Sequence, residues 1–113
     1  MTARLPSHLL VSALLRRVMQ AGGFAAVLAH GDDMGGVILI QMLEKGQYSG
    51  FVERLVDLNG RESLVRCGPP AGSDAETIVQ YAERRRTSDP DLWIVELDIA
   101  DAERFAAETI NAV

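Results

Sequence analysis

The stretch DPDLWIVELDI, residues 89–99, decides the fold. From Leu92 the side chains alternate between two faces, with Trp93, Val95, Leu97 and Ile99 on one and Leu92, Ile94, Glu96 and Asp98 on the other. The first half of this strand is apolar on both faces, so it is expected inside a sheet that is covered on two sides. Its place in the strand order stays open at this stage: it can insert centrally or pair at an edge.

Immediately upstream, Asp89-Pro90 suits the first two positions of a type I turn. Proline presets φ, and the Asp89 carboxylate accepts the backbone N–H two residues on. Pro90 also disfavours helix at Asp89, so a helix has to end there. That helix is read from GSDAETIVQYAERRR (72–86), with Ser73 and Glu76 as a capping box and Ala75, Ile78, Val79 and Ala82 on the inner face. Arg84, Arg85 and Arg86 fill its last turn, where positive charge complements the dipole. Arg85 precedes Asp89 by four residues, a spacing that suits an ion pair across the corner.

Downstream of the strand, DAERFAAETIN (101–111) forms a last amphipathic helix with Ala102, Phe105, Ala106 and Ile110 inward. Upstream, four short apolar runs bounded by turn residues read as strands: FAAVLAH (24–30), GVILIQML (36–43), GFVERLVDL (50–58) and RESLVRC (61–67). Asn59-Gly60 signals a two-residue hairpin with positive φ at both positions. HGDDMGG and EKGQYSG read as the two earlier turns, which gives a four-strand meander. Before it, residues 8–20 make a helix with Leu10, Leu14 and Val18 on a broad apolar stripe, started by Pro6-Ser7 and stopped by Gly22-Gly23. The expected fold class is α+β: one domain over residues 1–113, three helices on a mainly antiparallel sheet of about five strands, in the order α-β-β-β-β-α-β-α.

Composition bounds the function. The chain has 113 residues, 48% apolar and 24% charged, the balance of a soluble globular protein. Its net charge of −5 is unevenly spread. Arg4, Arg16 and Arg17 precede the first acidic residue, Asp32, so the opening segment carries +3 and the rest −8. An acidic chain is a poor partner for nucleic acid, whose phosphates demand positive charge. A single cysteine, Cys67, excludes an intramolecular disulfide and a cysteine zinc cage. The apolar opening is interrupted by His8 and Arg16-Arg17 and is too short to span a bilayer, so no membrane role is expected. An organellar presequence is the alternative reading of that opening, and a folded helix is favoured over it. The expected compartment is the cytoplasm.

Two clusters carry candidate chemistry. Arg84, Arg85 and Arg86 with Asp89, Asp91 and Trp93 form a candidate anion or nucleotide site with the indole as a stacking wall. They sit at a helix C-terminus, however, the wrong end for binding phosphate through backbone amides, and a helix-to-strand corner explains the same residues. His30, Asp32 and Asp33 in AHGDDMGG offer a metal or acid–base set, against the commoner reading of a polar hairpin turn. No phosphate loop, dinucleotide fingerprint, nucleophile elbow or zinc motif is present, and no cofactor is expected.

Three stretches together resemble a known family: VSALLRRV (11–18), GGFAAVLAHGDDMGGVIL (22–39) and RRRTSDPDLWIVELD (84–98). The sequence is similar to small alphaproteobacterial proteins known as the domain of unknown function family 1491, most specifically at 89–93 and 13–17. The resemblance implies a cytoplasmic, single-domain protein and brings no activity with it. The charge split, the wide apolar face of the first helix and the lack of an assembled catalytic set make the leading expectation a non-catalytic interaction module that self-associates as a homodimer or binds another cytoplasmic protein, with Leu10, Leu14, Arg16 and Arg17 as interface candidates. The alternative is a protein or enzyme that handles a small anionic ligand through the Arg84–Trp93 region.

Overall fold

The strand at the centre of the sequence argument also organises the tertiary structure. The computed structural model describes residues 5–111, so Arg4 lies outside the described residues. The elements are α1 (Ser7–Gln20), β1 (Phe24–Ala29), β2 (Ile38–Glu44), β3 (Gln47–Val56), β4 (Glu62–Cys67), α2 (Ala75–Ser88), β5 (Trp93–Asp98) and α3 (Ala102–Asn111). Class and element order match the expectation. The sheet runs β1-β5-β2-β3-β4, with β5 antiparallel to β1 and parallel to β2. Central insertion settles the open question about β5, and it corrects the four-strand meander. Only β2, β3 and β4 form one; β1 and β2 are held apart by β5.

Both faces of β5 are used as its alternation requires. Trp93, Val95 and Leu97 pack with Ile38, Ile40, Met42 and Val52 beneath α1 and α3, which contribute Leu10, Leu14, Val18 and Ala106. On the other side Leu92 and Ile94 join Leu39 and Phe51 beneath Ile78 of α2. The inner face of α2 is narrower than its sequence implied. Ala75 and Val79 point to solvent, and the contact with the sheet runs through Ile78, Tyr81 and Ala82 instead.

Several local signals were displaced by one or more residues. The α2 N-cap is Asp74, whose carboxylate accepts the N–H of Thr77 at 2.8 Å, while Ser73 Oγ donates to Pro70 O at 2.8 Å. The Ser73–Glu76 capping box is therefore not formed. A hairpin turn with positive φ at two successive residues does occur, but at Lys45 (φ 52°) and Gly46 (φ 78°). Of Asn59-Gly60 only Gly60 has positive φ, at 81°. That loop is organised by Asp57, whose carboxylate accepts the N–H groups of Asn59 and Arg61 at 2.8 and 2.9 Å. α1 ends as expected at Gly22 (φ 93°), where the Gly23 N–H reaches Val18 O at 3.0 Å.

Candidate functional site

The insertion of β5 brings the two candidate clusters together. β1 ends beside Ile94 and β2 begins beside Trp93, so the segment joining them has to pass over the point where the chain enters β5. His30–Val37 is therefore a crossing strap and not the hairpin turn its composition suggested. The strap lies directly on the Asp89–Trp93 corner. Asp32 N–H donates to Asp91 O at 3.0 Å, and the Trp93 indole Nε1–H donates to Asp32 O at 2.8 Å. The His30 ring packs against Trp93 with centroids 4.1 Å apart and the planes tilted by 44°.

The start of α1 closes the same knot. Its first amides need partners from outside the helix, and the strap provides them: Ser7 N–H donates to Met34 O and His8 N–H to Asp33 O, at 3.1 and 3.0 Å. Ser7 Oγ, fully buried, donates to Gly36 O at 2.7 Å. His8, distant in sequence, is thus drawn to the strap, where its Nδ1 donates to Asp33 O at 2.9 Å.

Within this knot the polar candidates are occupied by bracing. One Asp32 carboxylate oxygen accepts the N–H groups of Met34 and Gly35 at 3.1 and 2.9 Å. The Asp33 carboxylate accepts from His30 Nε2 at 2.9 Å on an exposed surface. Among the described residues no group of three or more His, Cys, Asp or Glu side chains is arranged to hold a metal ion.

The corner itself is the type I turn read from Asp89-Pro90: Leu92 N–H donates to Asp89 O at 3.1 Å, and Asp91 N–H to the Asp89 carboxylate at 3.1 Å. Of the three arginine side chains only that of Arg86 bonds to it. Arg85 does not pair with Asp89; it reaches across the sheet to both carboxylate oxygens of Glu53, at 2.8 and 3.3 Å, and donates to Tyr81 Oη at 2.8 Å. Burial works against its charge, but the bonds to Glu53 and Tyr81 outweigh that and hold its pKa above the ordinary arginine value. Arg86 donates to Leu92 O at 3.0 Å, and Arg84 lies on the outer face of α2. Trp93 is only 2% exposed, which leaves no indole face for a stacked ligand.

The interface candidates on α1 divide in the same way. Leu10 and Leu14 are buried in the protein's own core, so they offer no surface to a partner. Arg17 donates to Glu108 at 2.9 Å and to Thr109 at 3.0 Å, which places the charge complementarity between α1 and α3 of one chain. Arg16 remains exposed.

The surfaces that stay open lie elsewhere. Phe24 (76% exposed), Val27 and Leu28 (52%) project from β1, one edge of the sheet, and Val79 (53%) projects from α2. Between Leu28 and Val79 runs a groove of about 670 Å³ lined also by Gln41, Glu83, Ile94 and Glu96, among others, while Val27, paired with Val95, faces the α1 side of the sheet. Apart from Arg86, the residues of this surface were not singled out as functional from the sequence. The signal for them was the FAAVLA run of β1, which has neither the polar alternation nor the charge of a strand with one face in water.

No helix among the described residues is long and apolar enough to cross a membrane. Residues 5–107 match the family described as protein of unknown function (DUF1491). The fold is similar to the crystal structure of a DUF1491 family protein from Caulobacter crescentus CB15, at 27% identity and a TM-score of 0.76 over 89% of this chain and 94% of that one. A solution structure of protein Atu0922 from A. tumefaciens is similar at 31% identity and a TM-score of 0.72, over 88% and 89% of the two chains. No curated protein matches the chain.

Proposed function

The chain belongs to the DUF1491 family, whose function is unknown, and from that premise we propose that it is a non-catalytic cytoplasmic interaction module that self-associates through the free edge of β1. The observation that carries this reading is the contrast between the two sheet edges. β4 is defended: it bears Glu62 and Arg66 and runs on into Pro69-Pro70. β1 has six uncharged residues, no lysine and no proline, and among the described residues its outer row of backbone groups has no strand partner.

A second copy is the occupant that suits this edge. Antiparallel pairing about a two-fold axis sets β1 against itself, and because the strand is uncharged no like charges meet. The bulge at Leu28, where the register with β5 shifts, ends the regular run, so pairing is expected over Phe24–Val27. A contact of that length falls among weak interfaces, below about 1,200 Å² of buried surface. The cytoplasmic assignment draws on the single, partly buried Cys67.

Sedimentation equilibrium tests the reading. A concentration-dependent monomer–dimer equilibrium is expected, and Val27→Lys or Phe24→Lys should abolish it while leaving the unfolding transition intact, since lysine is a natural edge protector. A monomer at every concentration, or a dimer that survives both substitutions, contradicts it.

A further inference from the structure

We infer that the uncovered half of the α2 face is a slot for one α-helix of a partner protein, apolar along one stripe and flanked by lysine or arginine. The slot is a consequence of layer geometry. Five strands at about 4.8 Å spacing place the outer strands roughly 19 Å apart, which is room for two helices of about 10 Å diameter on each face. One face carries two, with α1 toward β1 and β5 and α3 toward β2 and β4. The other carries, among the described residues, only α2, seated on Leu39, Phe51, Leu92 and Ile94. The strip behind α1, over β1 and the outer part of β5, has no helix, and it is there that Phe24, Leu28 and Val79 stand exposed beside the groove.

Val79 gives the clearest sign. It shares the apolar side of α2 with Ile78 and Ala82, yet it points into the groove and not into the core. Leu28 faces it from the opposite lip. A helix seated between them buries both side chains. β1 spans about 20 Å, and about 14 helical residues cover the same length.

Charge selects the partner. Glu83 on α2 and Glu96 on β5 line the groove, and neither joins an ion pair among the described residues. The guanidinium in the lining, Arg86, keeps its charge but is held in place by its bond to Leu92 O, so the groove carries two carboxylates to one guanidinium. Acidic groups beside an apolar floor, on a chain of net charge −5, favour a basic amphipathic helix and repel an acidic one. The slot uses side chains on one face of β1, whereas self-association uses the strand's outer backbone groups, so the slot does not depend on self-association.

The test uses fluorescein-labelled helical peptides of about 14 residues, each with a leucine stripe, in two series whose flanking positions are all lysine and arginine or all glutamate. Fluorescence anisotropy is expected to show saturable binding of the basic series, at least about tenfold tighter than the acidic one and weakened by salt. Leu28→Asp and the double variant Glu83→Lys/Glu96→Lys should each lower affinity about tenfold or more, while Val27→Lys on the edge should leave it unchanged. Equal binding of both series, or no binding by either, overturns the inference. So does loss of self-association on Leu28→Asp without any peptide effect, which assigns the slot to a second copy. A monomeric protein that still binds the basic series contradicts the proposed edge dimer and leaves the slot standing.

Discussion

Gly31 and Gly36 show how single residues secure the crossing strap. A Cβ at either position would run into the carbonyl oxygen of Asp91 and the Trp93 ring, because the strap backbone lies directly on the corner. Gly35, next to Gly36 in sequence, has nothing within reach of a Cβ. Gly36→Ala is therefore expected to destabilise the fold by about 3 kcal/mol or more and Gly35→Ala by under about 1 kcal/mol, read by chemical denaturation. Equal effects would mean that the strap yields. Tyr48 offers a second test at this scale. Its hydroxyl donates to Pro69 O at 2.6 Å, and burial, followed by the neighbouring Cys67 and Tyr81, pushes its pKa up to about 12 from 10.0. The folded state thus holds this proton more tightly than the unfolded one. Its contribution to stability is whole below about pH 10 and is lost as pH rises through about 12. The fall in melting temperature across that window should be shallower in Tyr48→Phe than in the original protein, and matching slopes would remove Tyr48 from the account.

Elements were legible in the sequence because each carries its own period; their ends and turns were less so. The helices and strands lie close to where the apolar patterns put them. The α2 cap moved by one residue because Asp74 offers a carboxylate one position nearer the helix than Ser73, which instead closes a local turn onto Pro70. Asn59-Gly60 has strong hairpin chemistry, but Asp57 captures two downstream amides and draws the chain into a longer loop. The tight turn fell at Lys45-Gly46, where lysine bears the positive φ that asparagine accepts more readily. Lys45→Asn is accordingly expected to stabilise the protein by about 0.5–1 kcal/mol, measured as a rise in denaturation midpoint. An unchanged or lower midpoint would show that the turn carries no strain. The exposed row on β1 was visible in the sequence only as missing polar alternation, and six apolar residues read equally as a buried strand.

At the scale of the molecule, what the sequence withheld was adjacency. A pattern with a two-residue period fixes which faces of β5 are apolar, but not which strands flank it, and central insertion is what turns His30–Val37 into a strap over Asp89–Trp93. The two stretches with the densest chemistry thereby brace each other, and the charge asymmetry of the chain is spent in part on Arg17 and Glu108 between α1 and α3. The side of the molecule that these braces do not cover holds the β1 edge and the single-helix face beside it, the two surfaces proposed for partners. For the proposed interaction module, little change in the sheet is expected on binding.

The self-association claim is tested most directly by residue-resolved amide hydrogen exchange over Phe24–Ala29 at low and high protein concentration. Protection of the outward-facing β1 amides that appears only at high concentration, with β4 unchanged, is the expected result. Outward β1 amides that exchange equally fast at every concentration would contradict pairing through this edge.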